Sequence, residues 1–533
     1  MVAAQRRGEA VSEATLGLVP RPFNACAWLI DRHLEAGRDR TIAIVTAGRS
    51  YTYGQVHEQV TTASGRLRAL RVDAEDRVII ALDDTIEFLA AFLGAMRLGA
   101  IPVPVNPLLP AGDLAAIVRL SRARVVLLEP RIDPRAVQAG APEVEHPIVV
   151  RRGGVPDSDA VRWEGLAGTA PGAPYDTWDE SPGFWLCTSG TTGHPKLVMH
   201  RHADVRVTAE TYGRHVLEID ATDRCFSVAP MFHAYGLGNS LTFPLAVGAS
   251  AVLEPTRPPT PSTVASTVTA CEPTLFFSIP TFYAALASAD LPPGTFSTVR
   301  RAVSAAEPLP AEVWRQFRER VSVEILDGLG STEALHIFVS NVAGSVRPGT
   351  SGVPVPGYEV RLEDATGASP GPGDPGFLQV KGDSTATGYW CAAEWSRRTF
   401  VGEWLQTGDL YTVSGDGYYT YLGRADDMLR VSGEWVSPAE VEATLVEHPA
   451  VLEAAVVGET NEAGLQQPVA HVVLGPGLTV DPGDLIEFCR SRLAGFKRPR
   501  RVAIVDQLPK TTTGKVKRFE LRAHAHELRG AHP

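Results

Sequence analysis

The chain has 533 residues, 44% of them hydrophobic and 21% charged, and a formal net charge of −11. Such a length exceeds one ordinary hydrophobic core, so two or more domains are expected. The acidic balance argues against nucleic acid as a partner. Cys26, Cys187, Cys225, Cys271, Cys391 and Cys489 are scattered and form no C-x-x-C pair, which points away from a zinc site and a disulfide framework.

Met1 to Leu18 carries Arg6, Arg7, Glu9 and Glu13 but lacks the apolar stretch of a secretory signal, so residues 1–20 are expected to form a flexible N-terminus. No apolar run is long enough to span a bilayer, and a cytoplasmic protein without membrane insertion is expected. Tyr53 to Leu70 has amphipathic helical spacing, Arg77 to Leu82 reads as a strand, and Glu87 to Leu98 as an apolar helix. That alternation is α/β organisation. The Pro/Gly-rich segment Gly168 to Ser181 predicts a loop, and Gly367 to Gly376 a turn between strands. Gly423 to Met428 separates a Tyr-rich β pattern, Tyr418 to Tyr421, from a compact α/β pattern of about a hundred residues.

Leu186 to His200 combines hydroxyls, glycines and one lysine, a composition suited to polyphosphate. Glycines let the backbone turn its N–H groups into an anion-binding nest, the Ser and Thr hydroxyls add donors, and Lys196 supplies a mobile positive charge. It is not a Walker A loop, because Lys196 follows Pro195 and precedes Leu197. A Thr/Gly-rich surface turn is the bland alternative. Phe184 to Cys187 reads as a buried strand entering the loop, and Leu197 to Met199 as an apolar restart, so the loop is expected to be mounted on the fold.

This segment resembles the phosphate-binding signature of the adenylate-forming superfamily, which contains acyl- and aryl-CoA ligases, peptide-synthetase adenylation domains and luciferase. Asp327 to Glu333, Tyr411 to Asp427 and Pro509 to Lys515 resemble three further signatures, in the family's order. Longer runs at Ala234 to Asn239, Leu241 to Leu245, Asp327 to Phe338, Arg347 to Tyr358 and Val431 to Val441 are similar to the benzoate-CoA ligase subgroup.

The resemblance implies a large N-terminal domain, 21–423, with αβαβα layers and a distorted β-barrel. A hinge at 424–428 centred on Asp426 and a small mobile C-terminal α+β domain, 429–533, would follow. ATP would be held by Thr188, Ser189, Gly190, Thr191, Thr192, Gly193 and Lys196. Ala306, Glu307 and Pro308, with Asp327, Gly328, Leu329 and Gly330, would frame the adenine, followed by Ser331. Thr332 would contact the α-phosphate, Glu333 would ligate Mg2+, which takes hard oxygen donors, and Asp409 and Arg424 would reach the ribose. Lys515 would offset the charge that grows when a carboxylate attacks the α-phosphate.

His233, counted with Thr332, Glu333 and Lys515 as catalytic, would also line the acyl pocket with Ala234, Tyr235 and Gly236. Ser304, Ala305, Gly328, Ala334, His336 and Ile337 would complete it. Benzoate ligases usually have Phe at position 233 and Met at position 334. His233 and Ala334 therefore suggest a substituted or bicyclic aromatic acid, such as a hydroxybenzoate or naphthoate. CoA is the expected acceptor, with Ser432, Gly433 and Glu434 along its pantetheine arm and Phe496, Arg498 and Arg500 at its nucleotide end. A carrier protein as acceptor, a non-catalytic nucleotide-binding module and a homodimer remain open alternatives at this point.

Overall fold

The computed structural model describes residues 21–142, 148–149, 161–166, 172–189, 195–431, 434–460, 466–475, 477–510 and 516–527. Of the expected site residues, Gly190, Thr191, Thr192, Gly193, Ser432, Gly433 and Lys515 lie outside this set, as does the side chain of Ser189.

Two sheets organise the large domain. In the nine-stranded sheet, Ile325–Gly330, Arg301–Ser304, Leu275–Ser278, Arg224–Ser227, Ser250–Val252 and Ile42–Val45 run parallel, in that spatial order. The second sheet, all parallel, places Arg77–Ala81 between Ile101–Pro104 and Val125–Leu128. Strand alternation assigns the layers. Val78 and Ile80 enter the same core as Phe277, Val303 and Leu326 of the larger sheet, together with the helices Tyr53–Ala69 and Ile86–Arg97. Ile79 and Ala81 face the opposite way, onto Leu114 and Val118 of the helix Ala111–Ser121. Phe226, Phe276 and Ala302 face a third cluster with Val264, Tyr283 and Phe317 from outer helices. Helix, sheet, helix, sheet and helix follow in order, the expected αβαβα arrangement.

Local chemistry explains the elements. Thr52 caps the helix Tyr53–Ala69 by a reciprocal capping box with Gln55, a motif worth about 1 kcal/mol. The helix Ile86–Arg97 is apolar nearly all round because it is buried between sheets. The barrel component is a five-stranded antiparallel sheet containing Glu359–Glu363, Gly376–Lys381, Phe400–Val401, Trp404–Val413 and Tyr419–Arg424. The Gly352↔Tyr419 bridge links it to the chain entering the edge strand Val353–Pro354 of the nine-stranded sheet.

The small C-terminal domain centres on Val451–Thr460, Gln466–Leu474 and Arg501–Ile504. Helices Pro438–Val446 and Pro482–Arg490 cover one face through Val441, Leu445, Leu485 and Cys489. Leu521 of Arg518–Glu527 packs on the other with Ala455 and Val457. The turn at 425–427, including the exposed Asp426, connects this domain to Tyr419–Arg424. Val446 and Leu452 pack against the outer cluster of the large domain, and the Ser437 hydroxyl donates to the Leu422 carbonyl.

Candidate active site

The parallel strands of the large sheet end in polar residues. Ser278 pairs with Ser304, and Ser304 with Asp327, so these side chains line up where ligands of open α/β sheets bind. The hydroxyl of Ser278 is buried without a hydrogen-bond partner among the described residues.

The phosphate segment begins and ends on an antiparallel hairpin, Pro182–Ser189 and Pro195–Arg201, in which Thr188 faces Lys196. Phe184, Trp185 and Leu186 are buried, so the strand entering the segment is part of the fold's core, as its apolar run predicts. The Lys196 ammonium sits 3.4 Å from the centre of the Trp395 ring and 5.2 Å from that of Tyr389. Burial lowers its pKa, opposed by the nearby carboxylate of Glu333.

Glu333 and Thr332 occupy a turn whose carbonyls are all anchored. His200 Nε2 donates to the Thr332 carbonyl at 2.8 Å, Ala386 N–H to the Glu333 carbonyl at 2.8 Å, and the Ser384 hydroxyl to the Ala334 carbonyl at 2.7 Å. Ser331 accepts from the Ala334 N–H at 3.1 Å, and Leu335 adopts φ +67°. A left-handed leucine costs about 1–2 kcal/mol, which these anchors hold in place. The Tyr389 hydroxyl donates to Glu333 Oε1 at 2.8 Å, fixing the carboxylate beside Lys196.

On the nucleoside side, Asp409 and Arg424 face each other across Trp404–Val413 and Tyr419–Arg424. Arg424 Nη1 donates to Asp409 Oδ1 at 3.0 Å and to the Thr407 carbonyl at 2.7 Å. Ala306 is exposed at φ +78°, followed by half-buried Glu307 and exposed Pro308. Gly328, Leu329 and Gly330 form the end of Ile325–Gly330, and Leu329 is only partly buried, leaving an aliphatic face.

Burial pushes the Asp327 carboxyl up to about 8, against the N–H groups of Leu309 and Gly328 that favour its charged form. A raised carboxyl contributes stability that is complete below its ordinary value of 3.8 and is lost as pH rises through about 8. Unfolding midpoints of the wild type should therefore fall relative to Asp327→Asn across that interval. Parallel midpoints for the two proteins would refute this assignment.

The acyl side is aromatic. His336 is buried among Tyr212, Tyr235 and Phe243, with ring centres 5.3, 5.6 and 4.5 Å away. Burial lowers its pKa to about 3, so the ring is neutral. Its Nε2 lies 3.4 Å from the Tyr235 carbonyl, which can only accept, and its Nδ1 has no hydrogen-bond partner among the described residues. A Cβ on Gly238 would lie 2.5 Å from the His336 ring, and one on Gly236 would lie 2.1 Å from the Pro230 carbonyl oxygen. Glycine is required at both places. His233 precedes the helix Ala234–Leu237 and packs on Phe232 at 4.4 Å, and the Tyr235 hydroxyl donates to the Val303 carbonyl at 3.0 Å. Ala305, Ala334 and Ile337 are buried.

Of the proposed CoA residues, Glu434, Phe496, Arg498 and Arg500 are described, and all lie on the C-terminal domain. Glu434 is exposed on the hairpin Leu429–Val431 and Glu434–Val436, next to the exposed Trp435. Phe496 packs partly against the C-terminal core, Arg498 Nε donates to the Leu493 carbonyl at 3.0 Å, and Arg500 is exposed. Sequence reasoning missed His200, Asp204, Ser384, Tyr389 and Trp395. Only His200 carried a signal, as the last residue of the phosphate segment.

A hydroxyl-rich hairpin beside an anchored Thr-Glu turn, at the carboxyl ends of parallel strands, defines a nucleotide-handling α/β protein. The chain belongs to the AMP-binding enzyme family, which matches residues 30–390, with the AMP-binding enzyme C-terminal domain matching 440–515. It is 45% identical to the benzoate-CoA ligase of Thauera aromatica over 95% of this chain and 97% of that protein. It is 40% identical to the 4-hydroxybenzoate-CoA/benzoate-CoA ligase of Rhodopseudomonas palustris, over 94% of each. The solved anthranilate CoA ligase in complex with anthranoyl-AMP superposes with a TM-score of 0.91 at 38% identity, over 96% of this chain and 99% of that one. Among the described residues, no helix is long and apolar enough to cross a membrane.

Proposed function

We propose that this chain is an aryl-CoA ligase, which joins an aromatic carboxylate to ATP as an acyl adenylate, releasing pyrophosphate, and then transfers the acyl group to CoA, releasing AMP. The observation that carries this reading is the near full-length identity of 45% with a benzoate-CoA ligase. The site chemistry supports it. Lys196, beside Glu333, is suited to the β- and γ-phosphates, while Thr332 addresses the α-phosphate and Asp409 with Arg424 the ribose.

Glu333, whose carboxylate is oriented by Tyr389 through Oε1, would hold Mg2+, which takes hard oxygen donors. When bound, the ion would neutralise phosphate charge. Lys515 lowers the cost of the carboxylate approaching the α-phosphorus, after which the C-terminal domain turns about Asp426. The hairpin carrying Ser432, Gly433 and Glu434 then lines the thiol's approach, with Phe496, Arg498 and Arg500 receiving the nucleotide end of CoA.

The substrate class we favour is an aromatic acid with a hydrogen-bond donor on the ring or a second ring. The buried, neutral His336 offers Nδ1 as an acceptor, and the side chain of Ala334 is three heavy atoms shorter than a methionine's. The test is pyrophosphate release with MgATP across benzoate, hydroxybenzoates, aminobenzoates, naphthoates and hexanoate, with and without CoA. CoA-dependent turnover peaking on a donor-bearing or bicyclic aryl acid is expected. A peak on hexanoate would overturn the aromatic class. Adenylation without thioester formation would move the acceptor to a carrier protein.

A further inference from the structure

His200 and Asp204 belong to no part of the reaction described above, yet both side chains are completely buried. His200 Nδ1 lies 2.9 Å from Asp204 Oδ2, and its Nε2 lies 2.8 Å from the carbonyl of Thr332, 132 residues away. The ring is stacked on Phe184, centres 5.2 Å apart at 20°, so its plane is fixed as well. Asp204 is itself oriented, accepting from the Arg201 N–H and Nε, each at 3.0 Å. A backbone carbonyl has no hydrogen to give, so His200 must donate through Nε2. The Asp204 carboxylate likewise only accepts, so Nδ1 donates to it and both ring N–H groups are engaged.

His200 lies on Pro195–Arg201, the strand that leaves the phosphate loop and carries Lys196 at its start. Thr332 and Glu333 belong to the opposite half of the same site. One imidazole therefore joins the two halves directly. We infer that His200, oriented by Asp204, is a positioning residue for adenylation, setting the Thr332-Glu333 turn against the phosphate hairpin. The inference rests on the adenylation chemistry proposed above. An error of about 1 Å in such a setting costs up to about 10²-fold in rate, and three neighbouring anchors at Leu335, Ala386 and Ser384 limit the movement here. A loss of about tenfold is expected.

The test compares the two half-reactions in wild type, His200→Ala, His200→Gln and Asp204→Asn. Exchange of pyrophosphate into ATP, driven by the best aryl acid, reports adenylation. Discharge of an enzyme-bound, preformed aryl adenylate by CoA reports thioester formation. His200→Ala should lower kcat for exchange about tenfold and raise the Mg2+ needed for half-maximal rate, with discharge within about twofold of wild type. His200→Gln, whose amide N–H reaches toward the Thr332 carbonyl, should recover most of the loss, and Asp204→Asn should fall between. If the alanine variant fails to fold, the other two carry the same comparison. Equal losses in both half-reactions, or none in either, would overturn the positioning role. Absence of exchange in wild type with every aryl acid would instead overturn the functional reading.

Discussion

Replacing Lys515 by alanine should slow acyl-adenylate formation by about 10²–10³-fold, the range found when one preorganised donor is removed from a transition state. The carboxylate and the α-phosphate are both anionic, and their approach concentrates charge that only a positioned cation offsets without reorganisation. The residues flanking this lysine are tied by other groups. Lys510 and Val516 form an antiparallel bridge across the loop, Lys517 N–H donates to the Pro509 carbonyl at 2.8 Å, and Lys510 pairs with Glu453 at 2.9 Å. Arg518 is further tied to Glu442. The alanine variant should therefore fold normally and still discharge a preformed adenylate to CoA at close to the wild-type rate. Equal loss in both half-reactions would remove Lys515 from the adenylation step.

Local information explains why much of the fold could be read in the chain. The helix read as Tyr53 to Leu70 runs over Tyr53–Ala69, stopped before Arg71 at φ 58°, and the strand read as Arg77 to Leu82 over Arg77–Ala81. Both signals are periodic and need no partner. The π-helical turns Ala209–Arg214 and Gly238–Thr242 were not legible, because their extra backbone residue is set by packing around His336 and Phe243 and leaves no sequence period. The site divides the same way. Lys196, Glu333 and Asp409 stand in contiguous motifs, whereas Tyr389 reaches Glu333 across 56 residues and His200 reaches Thr332 across 132. A hydrogen bond between distant segments has no trace in the spacing of either. The acidity of Asp327 is likewise a property of burial, invisible until the sheet is assembled.

The acyl pocket carries the second large prediction. Ala334 is fully buried, and its backbone is held from both sides, by Ser331 at its N–H and Ser384 at its carbonyl. Ser384 is in turn bonded to Tyr358 at 2.6 Å. A longer side chain at 334 cannot be relieved by moving this backbone and must take space within the buried cluster that also holds Ile337. Ala334→Met adds three heavy atoms, so kcat/KM for a naphthoate or hydroxybenzoate should fall relative to benzoate by about 10–200-fold, the span that one pocket methylene or a few can command. Overpacking itself would cost about 1–3 kcal/mol of stability, lowering every substrate alike. The ratio of kcat/KM between the bulky acid and benzoate, measured in competition, isolates the steric effect from that general loss. A ratio unchanged by Ala334→Met would place the selecting surface elsewhere, at His233 or Tyr235.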